Sequence, residues 1–219
     1  MSNGVSRRSW WWLLPALLAL AAQTPARERG ERGRVLYAGC LECHGPRAEG
    51  VEARQGPRLA GLDDAYLRKQ WNKFLDLQRG ANGAPPPGEI PPEDRTRFMH
   101  PVAQRFTATE LDALLAFIGS QKPPAAPRHR EGNPERGRRA YVTGCLPCHG
   151  AGGEGHRKLE APRLRGQHGW YLFNQLRDFR MGWRGTDPRD AHGRAMRENT
   201  DLGDGDLHDL VAYISGLGR

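Results

Sequence analysis

The stretch Cys40-Leu41-Glu42-Cys43-His44 and its second copy, Cys145-Leu146-Pro147-Cys148-His149, decide how this chain folds. In each copy two residues separate the cysteines, and a histidine directly follows the second cysteine. One helical turn at this spacing brings two thiols to the two vinyl groups of one haem, and the histidine then lies under the iron. The spacing is the attachment signature of c-type haem.

Two other uses of paired cysteines are a zinc site and a thioredoxin-like redox couple. A zinc ribbon does not require a histidine after both pairs, and a redox couple needs a strand followed by a helix, which the sequence does not indicate here. All four cysteines belong to the two motifs. We therefore predict two covalently bound haem c groups, with iron on His44 and His149. Their thioether residues would be Cys40, Cys43, Cys145 and Cys148.

The repeat extends well beyond the cysteine motifs. Pro57-Arg58-Leu59 recurs 105 positions later as Pro162-Arg163-Leu164, and the pattern at residues 66–74 recurs at 171–179. Near the end of each copy the offset falls to 96, and a proline-rich insert at residues 80–92 absorbs the difference. Such an insert cannot be helical, so we expect a surface loop there.

The repeat predicts two homologous domains, at residues 27–121 and 132–219, joined by a proline-rich linker at 122–131 that would be extended and semi-rigid. Only 37% of the 219 residues are hydrophobic, and the mean hydropathy is -0.73. Domains of this size bury a low fraction of their surface. A large planar cofactor would fill the centre of each.

Each copy indicates helices and no strand-like alternation, so the predicted fold class is all-α. Thr107–Glu110 fits a capping box, and the apolar residues of 111–118 form one helical stripe. The second copy keeps the stripe but has Gly203 in place of the threonine, a weaker cap. Middle helices are predicted at about 64–77 and 169–181, and a first helix precedes each cysteine pair.

Residues 1–26 have the pattern of a secretory signal peptide, because Arg7-Arg8 precedes the apolar run Trp10–Ala22 and small residues follow. The run is 13 residues long, whereas a membrane-spanning helix needs about 18 or more. We expect export to the periplasm and cleavage between residues 21 and 27. An uncleaved segment, with its three tryptophans, would instead associate the protein with the membrane.

The formal charge of +8 arises from 33 basic and 25 acidic residues. A basic chain can bind nucleic acid, but no nucleic-acid motif is present and the arginines are scattered, so we expect no nucleic-acid partner. Residues 27–121 hold 14 basic and 13 acidic side chains, and residues 122–219 hold 17 and 12. The more basic second half bears on partner docking.

These motifs together resemble class I cytochromes c and, in tandem, the dihaem cytochrome c-four family. The resemblance covers essentially the whole chain after residue 26. It implies two tandem class I cytochrome c domains, each wrapped around one covalent haem. It also implies that the carbonyls of Pro57 and Pro162 accept a hydrogen bond from the proximal histidine, which fixes its orientation. The sixth iron ligand would be a methionine before the last helix, a place held by Met99 and Met196.

The sixth ligand has rival candidates. Met181 lies at the end of a middle helix, where we expect a packing residue. His100 directly follows Met99, and a bis-histidine haem would have a lower potential. Because His100 precedes Pro101, we expect an extended chain with neighbouring side chains pointing apart and His100 in a solvated loop. The remaining histidines show no metal-ligand spacing and are expected at the surface: His129, His156, His168, His192 and His208.

Two six-coordinate irons leave no open site for a substrate, and the sequence shows no carboxylate pair or nucleophile–base set. The chain is therefore predicted to transfer electrons and not to be an enzyme. The resemblance implies a respiratory-chain carrier between a quinol-oxidising complex or a dehydrogenase and a terminal oxidase. The main alternative is a haem subunit of a dehydrogenase that oxidises sulfur compounds. A dihaem peroxidase would need one iron without its methionine.

Overall fold

The computed structural model describes residues 27–79 and 98–218, and within these ranges the chain is helical without a β-strand. Isolated antiparallel bridges join Val51 to Gly56 and His156 to Ala161, which are equivalent positions of the repeat. The predicted all-α fold class is confirmed. The predicted signal peptide and the insert at 80–92 lie outside the described residues.

The first domain has the helices that the repeat predicts. The middle helix ends at Leu75, two residues before the predicted Leu77. The elements are α1 (27–37), a 3₁₀ turn (Ala38–Cys40), α2 (Leu41–His44), a 3₁₀ turn (Glu52–Arg54), α3 (Asp64–Leu75), α4 (Met99–Ala103) and α5 (Ala108–Ser120).

Among the described residues the second domain follows the same order, but the helix before its last helix has eight residues instead of five. Its middle helix ends at Arg180, one residue before the predicted Met181. The elements are α6 (Pro134–Ala140), a π-helical turn (Tyr141–Cys145), α7 (Leu146–His149), a 3₁₀ turn (Arg157–Leu159), α8 (Gly169–Arg180), α9 (Ala191–Glu198) and α10 (Asp204–Ile214).

The last helix of each domain begins where the sequence predicts. Thr107 Oγ1 accepts a hydrogen bond from the Glu110 N–H at 3.3 Å, and the Glu110 carboxylate accepts one from the Thr107 N–H at 3.0 Å. This is a complete capping box. At the start of α10, Gly203 provides no side-chain cap, so α10 depends more on the packing of its apolar face.

Each domain is organised by its first helix crossing its last helix at a glycine. A Cβ atom on Gly33 would lie 2.1 Å from the Ala113 carbonyl oxygen, and one on Gly137 would lie 1.9 Å from the Asp209 carbonyl oxygen. Only glycine therefore allows these backbones to approach so closely. Aromatic pairs flank the crossings: Tyr37 packs on Phe117 with ring centroids 5.0 Å apart, and Tyr141 on Tyr213 at 5.3 Å.

Residues 121–130 form no regular element. The Arg58 guanidinium donates to the carbonyls of Pro123 and Pro124, at 3.1 and 2.5 Å. Gln167 of the second domain exchanges two hydrogen bonds with the Arg58 backbone, at 3.1 and 2.9 Å. Arg58 thus holds the start of the predicted linker and also joins the first domain to the second. Within the described ranges, no helix is long and apolar enough to cross a membrane.

Candidate functional site

The second cysteine motif forms one wall of a large, mostly apolar cavity. Apolar side chains form most of its lining, as they do in sites that bind a mostly apolar ligand. The second domain contributes Cys145, Cys148, His149, Leu164, Leu172, Leu176, Phe179, Met196, Leu210 and Ile214 to its lining.

His149 presents one ring nitrogen to this cavity. Its Nδ1 lies 2.9 Å from the Pro162 carbonyl oxygen, an arrangement in which Nδ1 donates and Nε2 keeps its lone pair. Nε2 is buried and has no hydrogen-bond partner among the described residues. Burial also lowers the pKa of His149, against the hydrogen bond to Pro162. Because a buried polar atom without a partner costs free energy, the ring is arranged for a ligand within the cavity.

The first domain repeats this arrangement at His44. Its Nδ1 lies 2.8 Å from the Pro57 carbonyl oxygen, and the residue is buried. Burial lowers the pKa of His44, while the bond to Pro57 opposes this effect. Both rings are therefore held neutral and oriented by a proline carbonyl 13 positions further along the chain. A neutral, oriented imidazole is the form that binds metal.

Two tyrosines fix the chain just after each histidine. The Tyr37 hydroxyl donates to the Gly45 carbonyl at 2.8 Å, and the Tyr141 hydroxyl to the Gly150 carbonyl at 2.6 Å. Gly45 and Gly150 have φ values of +77° and +79°, a region that favours glycine. Both tyrosines are buried core residues. Their hydroxyls also hold the loop that follows each cysteine motif.

The cysteine environment disfavours a thiol redox couple. The four cysteines form no disulfide in the described chain. Burial raises the pKa of Cys40 and of Cys145 to about 11, with a smaller contribution from the neighbouring Cys43 and Cys148. Reactive cysteines need a lowered pKa, because the thiolate is the nucleophile. The first cysteine of each pair is instead in the apolar setting that a thioether tolerates.

The structure brings Met196 into the same cavity as His149. Met196 lies in α9 and packs, partly buried, against the core of the second domain. Met99 begins α4 and packs, partly buried, against the core of the first domain, as does Cys40. By contrast, Met181 directly follows the end of α8 and is 42% exposed, so the expectation of a packing residue was wrong.

His100 is not in the extended, solvated loop that we expected. Met99–Ala103 is helical, because a proline in the first turn of a helix has no internal N–H partner to lose. The partly buried His100 has Nδ1 2.8 Å from the Phe74 carbonyl oxygen and Nε2 3.1 Å from Gln104 Nε2. Both ring nitrogens therefore have protein partners.

Basic and amide side chains from both domains form the polar rim of the cavity. The Arg79 guanidinium donates to Gln70 and Gln175, each at 2.9 Å, and the Arg184 guanidinium donates to Gln175 at 2.5 Å and Gln70 at 3.0 Å. Arg79 and Arg184, like the two glutamines, are 105 positions apart. The network thus relates the two domains by an approximate two-fold axis.

The residues present fit haem c. An unpartnered, buried Nε2, two thiols and a methionine line one apolar cavity. Arg163 and Arg184 line the same cavity at the domain boundary and would offer positive charge to the carboxylates of a haem. The equivalent histidine of the first domain has the same proline partner geometry.

Comparisons with known proteins agree with this arrangement. The cytochrome c family matches residues 30–122 and again 134–218. The chain is 32% identical over 190 residues to a thiosulfate dehydrogenase electron acceptor of Stutzerimonas stutzeri (strain A1501), a match that covers 82% of this chain and 79% of the relative. It is 31% identical over 215 residues to cytochrome c4 of Azotobacter vinelandii, covering 94% of this chain and 98% of that protein.

A solved structure leads to the same family. Reduced recombinant cytochrome c4 from Pseudomonas stutzeri superposes with a TM-score of 0.64 at 26% sequence identity, covering 86% of this chain and 98% of that chain. The match includes both domains in tandem. The chain therefore belongs to the cytochrome c family, within its dihaem cytochrome c4 group.

Proposed function

We propose that this protein is a periplasmic electron carrier that takes electrons from a quinol-oxidising complex or a dehydrogenase and delivers them to a terminal oxidase. The observation that carries this proposal is the duplicated site, in which each domain combines a buried histidine, oriented by a proline carbonyl, with a methionine before its last helix. Two one-electron centres in one small chain suit a carrier.

In this proposal the iron ligands are His44 and Met99 in the first domain and His149 and Met196 in the second. The paired cysteines hold the two haems as thioethers, and the carbonyls of Pro57 and Pro162 orient the histidines. Haem c supplies a reversible one-electron change at its iron.

The residues of the chain limit what the cofactor can do. With a histidine and a methionine on each iron, no coordination position stays free for oxygen or peroxide. The partners of His100 support this assignment, since Phe74 and Gln104 already bond both of its ring nitrogens. The chemistry that remains is then electron transfer through an exposed edge of each haem.

The exposed residues around the motifs support contact with larger redox proteins. Cys43 and Cys148 are exposed, and so are the apolar Leu41 and Val142 close to them in sequence. Protein interfaces place apolar residues at their centre and polar residues at their rim. Each cysteine motif therefore offers a docking surface close to its haem.

The second candidate is an electron-transfer subunit of a dehydrogenase that oxidises sulfur compounds. It is favoured by the similarity to a protein named as the electron acceptor of thiosulfate dehydrogenase, at 32% identity. A subunit would remain bound to its catalytic chain during purification, whereas a carrier would bind each partner briefly.

Purification followed by rapid mixing tests the two candidates. The protein, expressed with its full chain, is isolated from the periplasm and mixed with quinol-oxidising membranes or with a thiosulfate-oxidising dehydrogenase. A carrier is expected to purify alone, to be reduced by its donor and to be reoxidised by membranes containing a terminal oxidase. Stoichiometric co-purification with a catalytic chain would establish the subunit instead, and slow exchange with all donors would contradict both.

A further inference from the structure

Three side chains outside the haem sites converge where the linker meets α10. His129 Nε2 lies 3.0 Å from His208 Nδ1, and His208 Nδ1 lies 3.3 Å from the Glu131 carboxylate. The donor atoms of all three residues lie within 4.8 Å of one another. In sequence the two histidines are 79 positions apart, so no spacing pattern announced the cluster.

The backbone on either side of His129 and Glu131 is fixed against α10. The His129 N–H donates to Ser215 Oγ at 3.0 Å, and the Asn133 N–H donates to Asp209 Oδ1 at 2.5 Å. Between them, Gly132 has a φ of +89°, and a Cβ atom there would lie 2.4 Å from the carbonyl carbon of His208. A glycine is thus required for the linker to lie directly on the helix turn that carries His208.

Packing also orients the two imidazole rings. The His208 ring stacks on Phe173, with centroids 4.3 Å apart and planes inclined by 23°. The His129 ring is nearly parallel to the His208 ring, at 8°. Gly169 leaves room for it, since a Cβ atom there would lie 2.7 Å from the His129 Cβ. The fold therefore already orders both imidazole rings, so a bound cation would need little further ordering of them.

The distances suit one small cation. Zn²⁺ binds imidazole nitrogen at about 2.0–2.1 Å and carboxylate oxygen at about 2.0–2.2 Å in tetrahedral geometry. Two such ligand atoms are then roughly 3.3 Å apart, close to the observed 3.0 and 3.3 Å. Two histidines and one glutamate form a known zinc ligand set in which water takes the fourth position.

A second histidine cluster, at His192, differs from this one because it already contains a positive side chain. His192 Nδ1 lies 3.5 Å from the Glu160 carboxylate, but the Lys69 ammonium bonds both groups. A cation of the protein itself therefore already occupies that position. In the cluster of His129, Glu131 and His208, the third group beside the two imidazoles is a carboxylate. Arg128 and Arg130 flank His129 in the chain with exposed side chains, and their charge would weaken cation binding without blocking the ligands.

We propose that His129 Nε2, His208 Nδ1 and the Glu131 carboxylate form a site for a divalent transition-metal cation of the Zn²⁺ type. The bound cation would connect the linker to the last helix of the second domain. The site is separate from both haem sites and does not depend on the proposed function.

Calorimetric titration of the haem-loaded protein with Zn²⁺ tests the site, using a chain without a histidine tag after removal of metals by a chelator. We expect one Zn²⁺ per chain, with binding lost in His129→Ala and in His208→Ala. Glu131→Gln should weaken binding by at least about tenfold, since even outer-shell changes have effects of that size. His156→Ala is the matched control, because His156 is an exposed histidine of the same domain, and it should bind as the wild type does.

Thermal unfolding gives a second readout. Zn²⁺ should raise the unfolding temperature of the wild type and of His156→Ala but not of the two other histidine variants, since a ligand stabilises only the state that binds it. If an alanine variant loses haem absorbance, His129→Gln and His208→Gln replace it. No binding to the wild type, or equal binding in the variants of His129 and His208, would overturn the proposal.

Discussion

Lys73 Nζ lies 2.6 Å from Asp190 Oδ1 across the boundary between the two domains, and these side chains are only 7% and 2% exposed. Asp190 also caps α9, where its carboxylate accepts the Gly193 N–H at 2.7 Å. The ion pair thus ties α3 of the first domain to the helix that carries Met196. Burial lowers the pKa of Lys73 to about 8 against the attraction of Asp190, so the ammonium is still mostly charged at pH 7.

Asp190→Ala should strongly destabilise the protein, because it leaves the Lys73 ammonium buried without a partner. Breaking a buried pair in this way costs about 3–5 kcal/mol of the free energy of unfolding. The double variant Lys73→Met/Asp190→Leu should recover most of that loss, since no charge remains buried. Unfolding in guanidinium, monitored by circular dichroism, measures the free energy of unfolding of both variants. An unchanged midpoint in Asp190→Ala would show that the pair contributes nothing.

The same pair should contribute to acid sensitivity. Burial raises the pKa of Asp190, but the hydrogen bonds from Lys73 and the Gly193 N–H outweigh burial and hold it below its usual range. A carboxylate with a lowered folded-state pKa stabilises fully above its unfolded pKa of about 3.9 and loses this effect as the pH falls through the folded value. The stability difference between wild type and Asp190→Asn should therefore shrink below about pH 4. A constant difference down to pH 2, measured by urea unfolding, would contradict this.

The purified protein should carry two covalently bound haems. Replacing both Cys145 and Cys148 by alanine should leave one haem and destabilise the second domain, because the haem forms much of its core. The haem-to-protein ratio after acid extraction measures this directly. Extraction that removes all haem from the wild type, or zinc in place of iron, would contradict the assignment of both motifs.

Met99→Ala should sharply lower the potential of the first haem. A thioether ligand raises the potential of an iron relative to histidine or water, so its loss favours the oxidised state. His100→Ala should change little, since its ring nitrogens bond Phe74 and Gln104. Methionine-to-iron charge-transfer absorption of the oxidised protein counts the ligands. If the signal corresponds to one haem only and Met196→Ala abolishes it, Met99 is not an iron ligand.

The haem on His149 should have the higher potential of the two. Glu160 and Asp190 balance the charges of Lys69 and Lys73 beside its cavity, but Arg163 and Arg184 line it as well. Their positive charge disfavours oxidation to the more positive iron. A redox titration resolves two waves, and the wave that moves in Met196→Ala belongs to this haem. If the wave at the lower potential moves in that variant, the predicted order of the two potentials is wrong.

The repeat and its motifs made the fold and the histidine geometry predictable. The bonds from His44 to Pro57 and from His149 to Pro162 span 13 positions each, and a helix cap such as Thr107–Glu110 spans three. Local interactions of this kind depend on residue type and spacing, which are visible in a sequence. The helix of Met99–Ala103 was missed because Pro101 favours an extended predecessor in isolation, and packing against α3 outweighs that preference.

The sequence by itself therefore determined the two cysteine–histidine motifs and the duplicated helical domain, because short spacings and an internal repeat carry them. Only the tertiary structure decided how the domains meet: Lys73 with Asp190 are 117 positions apart and Arg79 with Gln175 are 96 apart. The cluster of His129 with His208 is of the same kind. Such contacts arise when packed helices bring distant segments together, and no periodicity along the chain encodes them.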